Sequence, residues 1–496
     1  MVKIAKKNGS AMAPATNNFK INHMKKFQFV ILAAGLLLGL SLSSCKKEIG
    51  EISLPEPMPS SYQIVAGRPM NINMFVKNLQ DGKLTVSAES DNPKFPTTVS
   101  EPEGDSFTVT VTPPDIIKEQ TDFNLMIKIA DSANGAREEI SYPITVTAKP
   151  APNFRRIAQK ANCFISQPGK TLCFKPFKGN SDDVIAFDSV NLIWQDKQGL
   201  VDKVSISDDE IVVWLADGVC GNALVGAYKN NTLAWTYHVW VINDDPAASL
   251  FEFSTEAGAK YSFIDRNLGA IDAKASSDAF GLYYYWGNMH PYAGGTTTVY
   301  DIDGNALEYT TEETGTICTE NSLDDIFEYS LTRPMTFFAS NNNKAGNYEW
   351  LFGHKDKAKW TEKADLWGGV SGSKSIYDPC PEGYKVPPFA AMDAFKAANA
   401  TQEKKYNGDA ANKNFIGWNV SNDNGSTFLP AAGDYNNSLK FEAFYNGENT
   451  YPYTYVWAAD MQIENWRATC LKGTPVSIAP AGQPMGYAMP IRCIKE

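Results

Sequence analysis

Cysteine, histidine and carboxylate are the side chains able to attack, ligate or carry protons, and this sequence disperses them. The stretch "SIYDPCPEGYKVPPFAAMDAF", from Ser375 to Phe395, sets Cys380 between two prolines. As a nucleophile Cys380 would need a base in reach, and no histidine lies near it in sequence. As a zinc ligand it would need Cys or His partners at short spacing, yet the nearest cysteine pair in the chain, Cys163 and Cys173, is ten residues apart. His238, His290 and His354 are widely separated and outside any H-E-x-x-H pattern, and His238 shares a strand face with Trp240, as a structural histidine would. There is no G-x-S-x-G elbow and no G-x-x-x-x-G-K-[ST] phosphate loop. "YDIDGNALEY" places Asp301, Asp303 and Asn305 at alternate positions. Oxygens so spaced suit Ca²⁺, but D-G-N is equally the tip of a hairpin, and its glycine comes before the third oxygen rather than after it, too early for an EF-hand loop. No two carboxylates stand out as an acid and base pair. The expectation is a protein that is not an enzyme, with no cofactor and no resident metal.

Aromatic side chains among amides are what the chain concentrates. "GLYYYWGNMHPY" carries Tyr285, Trp286 and Asn288, and "NGENTYPYTYVWAAD" carries Asn449, Tyr453 and Trp457. Aromatic faces cover the apolar face of a sugar ring, and amides serve hydroxyls as donor and acceptor. These six are the candidate ligand-binding residues. Trp286 and Trp457 also fit a core, whereas Tyr453 and Asn449 stand in a Gly- and Pro-rich surface string.

The elements that must position these residues are mainly strands. Met70, Ile72, Met74 and Val76 alternate with polar residues, as do Phe107, Val109 and Val111, and Phe123, Leu125, Ile127 and Ile129. Period-two runs with Gly, Asp and Asn between them predict an antiparallel β-sandwich of immunoglobulin-like size over 62–150. "VNLIWQD", "EIVVWLAD", "NALVGAY" and "LAWTYHVWVI" predict a second over 154–246. The remainder, 250–496, has few long regular segments. "PPFAAMDAFKAAN", residues 387–399, reads as a helix with Phe389, Met392 and Phe395 on one stripe.

The N-terminus reads as an address. Lys25 and Lys26 precede sixteen mostly apolar residues from Phe27 to Leu42, and "LSSC" ends at Cys45. This order is that of a secretion signal, and the run is short for a membrane span. Leu-Ser-Ser-Cys resembles the lipobox of bacterial lipoproteins, so residues 1–44 are expected to be a signal peptide with an N-terminal extension, natural start Met24. Cys45 is then the lipidated first residue, and 45–61 a Pro-rich tether. Loss of 1–44 removes six lysines and no acid, which leaves a net formal charge of −17. Such a surface disfavours nucleic acid as a partner, and acyl chains rather than charge would hold the membrane. An exported chain tolerates disulfides; with Cys45 acylated, seven cysteines remain, so at least one has no partner within the chain.

"FIDRNLGA" (263–270), "FGLYYYWGN" (280–288), "DPCPEGYKVP" (378–387), "FLPAAGDY" (428–435), "VWAAD" (456–460) and "GYAMPIRCIKE" (486–496) follow in one order. Together they resemble the Fibrobacter succinogenes major paralogous domain of Bacteroidota surface lipoproteins, over residues 250–496. That family is similar to the C-type-lectin-like and formylglycine-generating-enzyme fold. The resemblance implies an α+β C-type-lectin-like domain and a disulfide between Cys380 and Cys493, with a closed loop of about 110 residues that stabilises by about 3–5 kcal/mol. Cys318 and Cys470 are the remaining pair in this region. The pairing of Cys163, Cys173 and Cys220 stays open. The R-G-G-S-W strand of the generating enzymes is missing, as are the E-P-N or Q-P-D loop and W-N-D of the calcium lectins. Neither mechanism carries over.

The reading is thus a mainly β outer-membrane lipoprotein on the cell surface, two sandwiches bearing a recognition head for a glycan or a surface protein. A fimbrial or assembly subunit is the alternative, and a polysaccharide-processing or protein-modifying enzyme a third.

Overall fold

The computed structural model describes residues 51–79, 83–131, 138–255, 257–294, 297–339, 349–352, 356–396, 401–404, 417–435, 453–474 and 477–496. Residues 1–44, Cys45, His354 and Asn449 lie outside them. The described chain is mainly β.

The first sandwich follows from its alternation. Thr121–Asp131 pairs with Glu138–Lys149 and with Leu84–Ser90, while Met70–Phe75 pairs with Ser106–Val111 in a second sheet. Ile72, Met74, Phe107, Val109, Val111, Phe123, Leu125, Ile127 and Ile129 are buried in one core between the two sheets. Thr108 and Thr110 point outward and bond Asn73 and Asn71. The expected tether 45–61 is shorter than its composition suggests. Ile52 is buried in this core, and Ser53 and Lys77 exchange backbone hydrogen bonds of 3.2 and 2.8 Å. An apolar residue in a polar string finds shelter wherever a sheet edge is near.

The middle sandwich packs the sheet of Val201–Ser207, Glu210–Leu215, Thr171–Phe174 and Phe154–Ile157 against a six-stranded sheet. The latter contains Ser189–Gln195, Gly221–Lys229, Thr232–Val241 and Cys163–Ser166, and is extended at one edge by the hairpin Val299–Tyr300 and Ala306–Leu307. One face, with Val225, Trp235, Tyr237 and Val239, fills the sandwich. The other, with Cys163, Trp194, Leu224 and Trp240, joins the core of the C-terminal region. A sheet buried on both faces reads as nearly continuous apolar strands, as "NALVGAY" and "LAWTYHVWVI" do. Residues 154–246 and 250–496 therefore share a core across the expected boundary at 246–250.

Cys163 and Cys173 sit in different sheets, one facing the C-terminal core and the other bonded to Glu210. The Pro-Gly turn between them connects sheets rather than closing a hairpin, so no disulfide joins them. Polar contacts fasten the first sandwich to the middle one. Glu210 is buried and meets Lys118 at 2.5 Å and Arg156 at 3.1 Å, and Cys173 donates to it at 3.3 Å. Burial opposes ionisation of Glu210, but these partners outweigh it and hold its carboxyl below the usual glutamate range. The stabilisation is present above that range and lost as pH falls through the lowered pKa. Glu210→Ala leaves two cations facing each other; because both are partly exposed, the expected loss is at or below the low end of about 3–5 kcal/mol. Limited proteolysis at 149–154 should quicken correspondingly.

In the C-terminal region the strand Lys260–Phe263 pairs with the last strand, Ile494–Lys495, which also pairs with Tyr384–Lys385. The expected helix at 387–399 is a 3₁₀ helix, Phe389–Phe395. Its apolar residues at 389, 392 and 395 recur every three positions, which is the 3₁₀ repeat rather than 3.6; Met392 and Phe395 are fully buried. The disulfide Cys380–Cys493 is present. Cys318 and Cys470 keep their thiols, against expectation; Cys163, Cys173 and Cys220, whose pairing stood open, keep theirs as well. Cys470 is buried on strand Arg467–Gly473 and paired there with Trp457, while Cys318 is on the helix Thr314–Glu320.

Candidate functional site

Four of the six expected ligand-binding residues are core. Tyr285, Trp286, Asn288 and Trp457 have no exposed surface. Trp286 Nε1 donates to Ala458 O at 3.0 Å and Trp457 Nε1 to Tyr284 O at 2.8 Å, so the two tryptophans clasp each other's strands. Tyr285 stacks on Trp350 at 5.6 Å between centroids, and the Asn288 oxygen accepts the His290 amide at 2.9 Å. Ring faces so covered cannot meet a sugar. Tyr453 is half-buried, with the Lys472 ammonium 4.8 Å from its ring centre.

The other sequence candidates are structural too. His238 and His290 are buried, and burial pushes their pKa values down to about 3 and about 4. Asp301 accepts the Asp303 and Asn305 amides at 3.0 and 2.8 Å and the Asn305 side chain at 2.9 Å. Its carboxylate shapes the tip of the hairpin. Asp378 is likewise an organiser of "DPCPEGYKVP": it accepts Cys380 N and Val386 N, both at 2.8 Å, and the Lys374 ammonium at 2.9 Å.

A cleft of about 380 Å³ opens instead where the middle sandwich meets two of the motif strings. One wall is the end of strand Ser189–Gln195, continued by Asp196, and the start of strand Gly221–Lys229, with Asn222. A side chain at Gly221 would put a Cβ 2.5 Å from Asp196 Oδ1, so only glycine lets the carboxylate lie there. Asn222 holds it at both oxygens, by its backbone N–H and its side-chain amide, each at 2.7 Å. The same amide donates to Gly269 O at 2.9 Å. That fixes the Asn222 oxygen toward His238 Nε2, 2.9 Å away, so the neutral imidazole carries its proton on Nε2.

The opposite wall is built by "FIDRNLGA" and "FGLYYYWGN". Leu282 N donates to Leu268 O at 2.9 Å and the Asn267 side chain to Phe280 O at 3.0 Å. Gly281 has φ +75°, and a Cβ there would meet Leu268 O at 2.6 Å. Arg492, from "MPIRC", locks the assembly from behind. Its buried guanidinium donates to Asn267 Oδ1, Thr427 Oγ1 and Phe428 O at 3.2, 2.6 and 2.8 Å. Burial without a touching carboxylate pushes its pKa down to about 9. Ser277, Asp278 and Thr297 stand around the cleft, with Phe280 half-buried on its wall. Burial pushes the Asp196 carboxyl up to about 6, in spite of its Asn222 bonds. A perturbed carboxylate lining a formed cleft makes it the candidate site. Sequence reasoning quoted the motif strings but missed Asp196 and Asn222, whose only signal was an acid closing the strand-like "VNLIWQD".

No family model and no curated protein matches the chain. Among solved structures it is similar to the endo-fucoidan hydrolase MfFcnA4 from glycoside hydrolase family 107, at 9% identity over 37% of this chain and 27% of that one, with a TM-score of 0.20. It is also similar to the N-terminal Ig1-2 module of the Drosophila receptor protein tyrosine phosphatase DLAR, at 14% identity over 39% of this chain and 99% of that one, with a TM-score of 0.15. A third likeness is to zebrafish RET cadherin-like domains 1 to 4, at 13% identity over 38% and 51%, with a TM-score of 0.19. The chain spans 27% of the hydrolase's length, and at these TM-scores the likenesses assign it neither a fold family nor an activity.

Proposed function

We propose that this chain is a non-catalytic recognition lipoprotein of the cell surface. Cys45 carries the lipid, the first sandwich is a spacer, and the middle and C-terminal regions together form the recognition body. Its ligand is a glycan or a glycan-bearing surface protein. The C-terminal region is C-type-lectin-like in this reading. The pairing of its strand Lys260–Phe263 with its last strand, Phe263 opposite Ile494, beside the Cys380–Cys493 bridge, supports that fold.

The observation that carries the function is the cleft. It is bounded by the motif strings, it is lined by hydroxyls, a half-buried ring and the charged groups of Asp196, Lys197 and Asp278, and its size falls within the about 300–1,000 Å³ of small-ligand sites. The test is a glycan array probed with the full chain and with Ser277→Trp, which fills the cleft from an exposed position. Saturable binding by the parent, lost in the variant at unchanged melting temperature, is the expected result. Binding indifferent to Ser277→Trp moves the site elsewhere, and cleavage of the bound glycan overturns the non-catalytic reading.

A further inference from the structure

Asp196 is left incomplete by its own protein. Its carboxylate is buried, and its two hydrogen bonds come from one neutral residue, Asn222. Among the described residues no Lys or Arg makes an ion pair with it. Two other buried carboxylates meet cations: Asp378 meets Lys374, and Glu210 meets Lys118 and Arg156. A buried carboxylate held only by amides is costly while ionised. The surrounding groups relieve that cost only in part. Lys197, the next residue, lines the same cleft and attracts the carboxylate, but it is exposed to solvent and makes no ion pair with it. Asp278 lines the same cleft with the same sign. Tyr309 is held neutral by burial, and His238, behind Asn222, is neutral as well.

We infer that the cleft takes an amino sugar with a free primary amine, whose ammonium supplies the charge that Asp196 lacks. Each Asp196 oxygen keeps lone-pair capacity beyond its Asn222 bond. Ser277 and Thr297 are placed to meet ring hydroxyls, and Phe280 and Ile271 the apolar ring face. Two carboxylates against the single ammonium of Lys197 leave the lining net negative, which disfavours uronic acids, sulfated sugars and phosphates. This assignment rests on the cleft being the recognition site.

The test is calorimetry on the full chain with glucosamine, glucose, N-acetylglucosamine and Nα-acetyl-lysine amide. At pH 7.0 glucosamine should bind about tenfold more tightly than either neutral sugar, the margin of a charge-assisted over a neutral hydrogen bond. Between pH 7.0 and 5.0 that affinity should fall about fivefold, because a carboxyl titrating near 6 is largely protonated at the lower value and the neutral form binds no better than a neutral sugar. Asp196→Asn should erase the preference. Since that change also disturbs the Asn222 bonds, Phe280→Ala serves as a second variant, expected to weaken all three sugars at an unchanged melting temperature. Equal binding of glucose and glucosamine, blocked alike by Ser277→Trp, overturns the amine assignment and leaves the recognition reading standing. Stronger binding by the lysine amide also overturns it, in favour of a peptide side chain. Absence of binding by any of the sugars overturns both.

Discussion

Replacing Cys380 and Cys493 together by alanine lowers the stability of the C-terminal region by about 3–5 kcal/mol on the loop-closure argument. The bridge spans 113 residues, and a cross-link over so long a loop removes much conformational freedom from the unfolded chain. It also fastens the final strand to the turn before the 3₁₀ helix, so its loss loosens the pairing of Tyr384–Lys385 with Ile494–Lys495 in the small sheet that closes the region. Tryptophan fluorescence follows the transition, because most of the buried tryptophans belong to this core. Alanine at Cys220, which is half-exposed and unbridged, is the control and should cost far less. Equal denaturation midpoints for the bridged protein and the double variant would sink the claim.

Lys374→Met is expected to cost about as much by a different route. The Lys374 ammonium is buried and gives its three donors to Asp378 Oδ1 at 2.9 Å, Cys380 O at 2.8 Å and Tyr384 O at 2.6 Å. Methionine keeps the length of the side chain but strands a fully buried carboxylate beside two carbonyls. Removing one partner of such a pair costs about 3–5 kcal/mol. Lys374→Met with Asp378→Asn should recover part of that, since the uncompensated charge is then gone. Denaturation midpoints for the single and double variants decide it: a double variant no better than the single would mean that packing, not charge, dominates. The ion pair and the disulfide hold one loop, so their effects should not add.

The first sandwich was legible residue by residue. Val109, Leu125 and Ile129 alternate with polar neighbours because one face of each strand meets water. The six-stranded sheet was legible as strands but not as a sheet covered on both sides, since what covers it arrives later in the sequence. The same reason misplaced the aromatic residues. Trp286 and Trp457 are buried by partners about 170 residues away, and no local pattern distinguishes a platform from a core when the covering residues are so distant. The cleft was illegible for a related reason. Its walls come from residues near 196, 222, 269, 281 and 297, and only the folded chain brings Asp196 against Gly269. Asp378 was visible in its motif, but its role required the backbone of Cys380 and Val386 to turn toward it.

The sheet shared between the middle and C-terminal regions has a consequence for how the protein is made. A chain emerging N-terminus first can complete the first sandwich on its own. The middle sandwich then assembles with Trp194, Leu224 and Trp240 on an uncovered face and with one edge awaiting the hairpin at 299–307. During that interval the nascent polypeptide displays an apolar sheet face and an unpaired edge, the two features that most invite misassociation. A truncation ending near residue 246 would hold the protein permanently in that unfinished state, and it should precipitate or recruit chaperones where the whole chain does not.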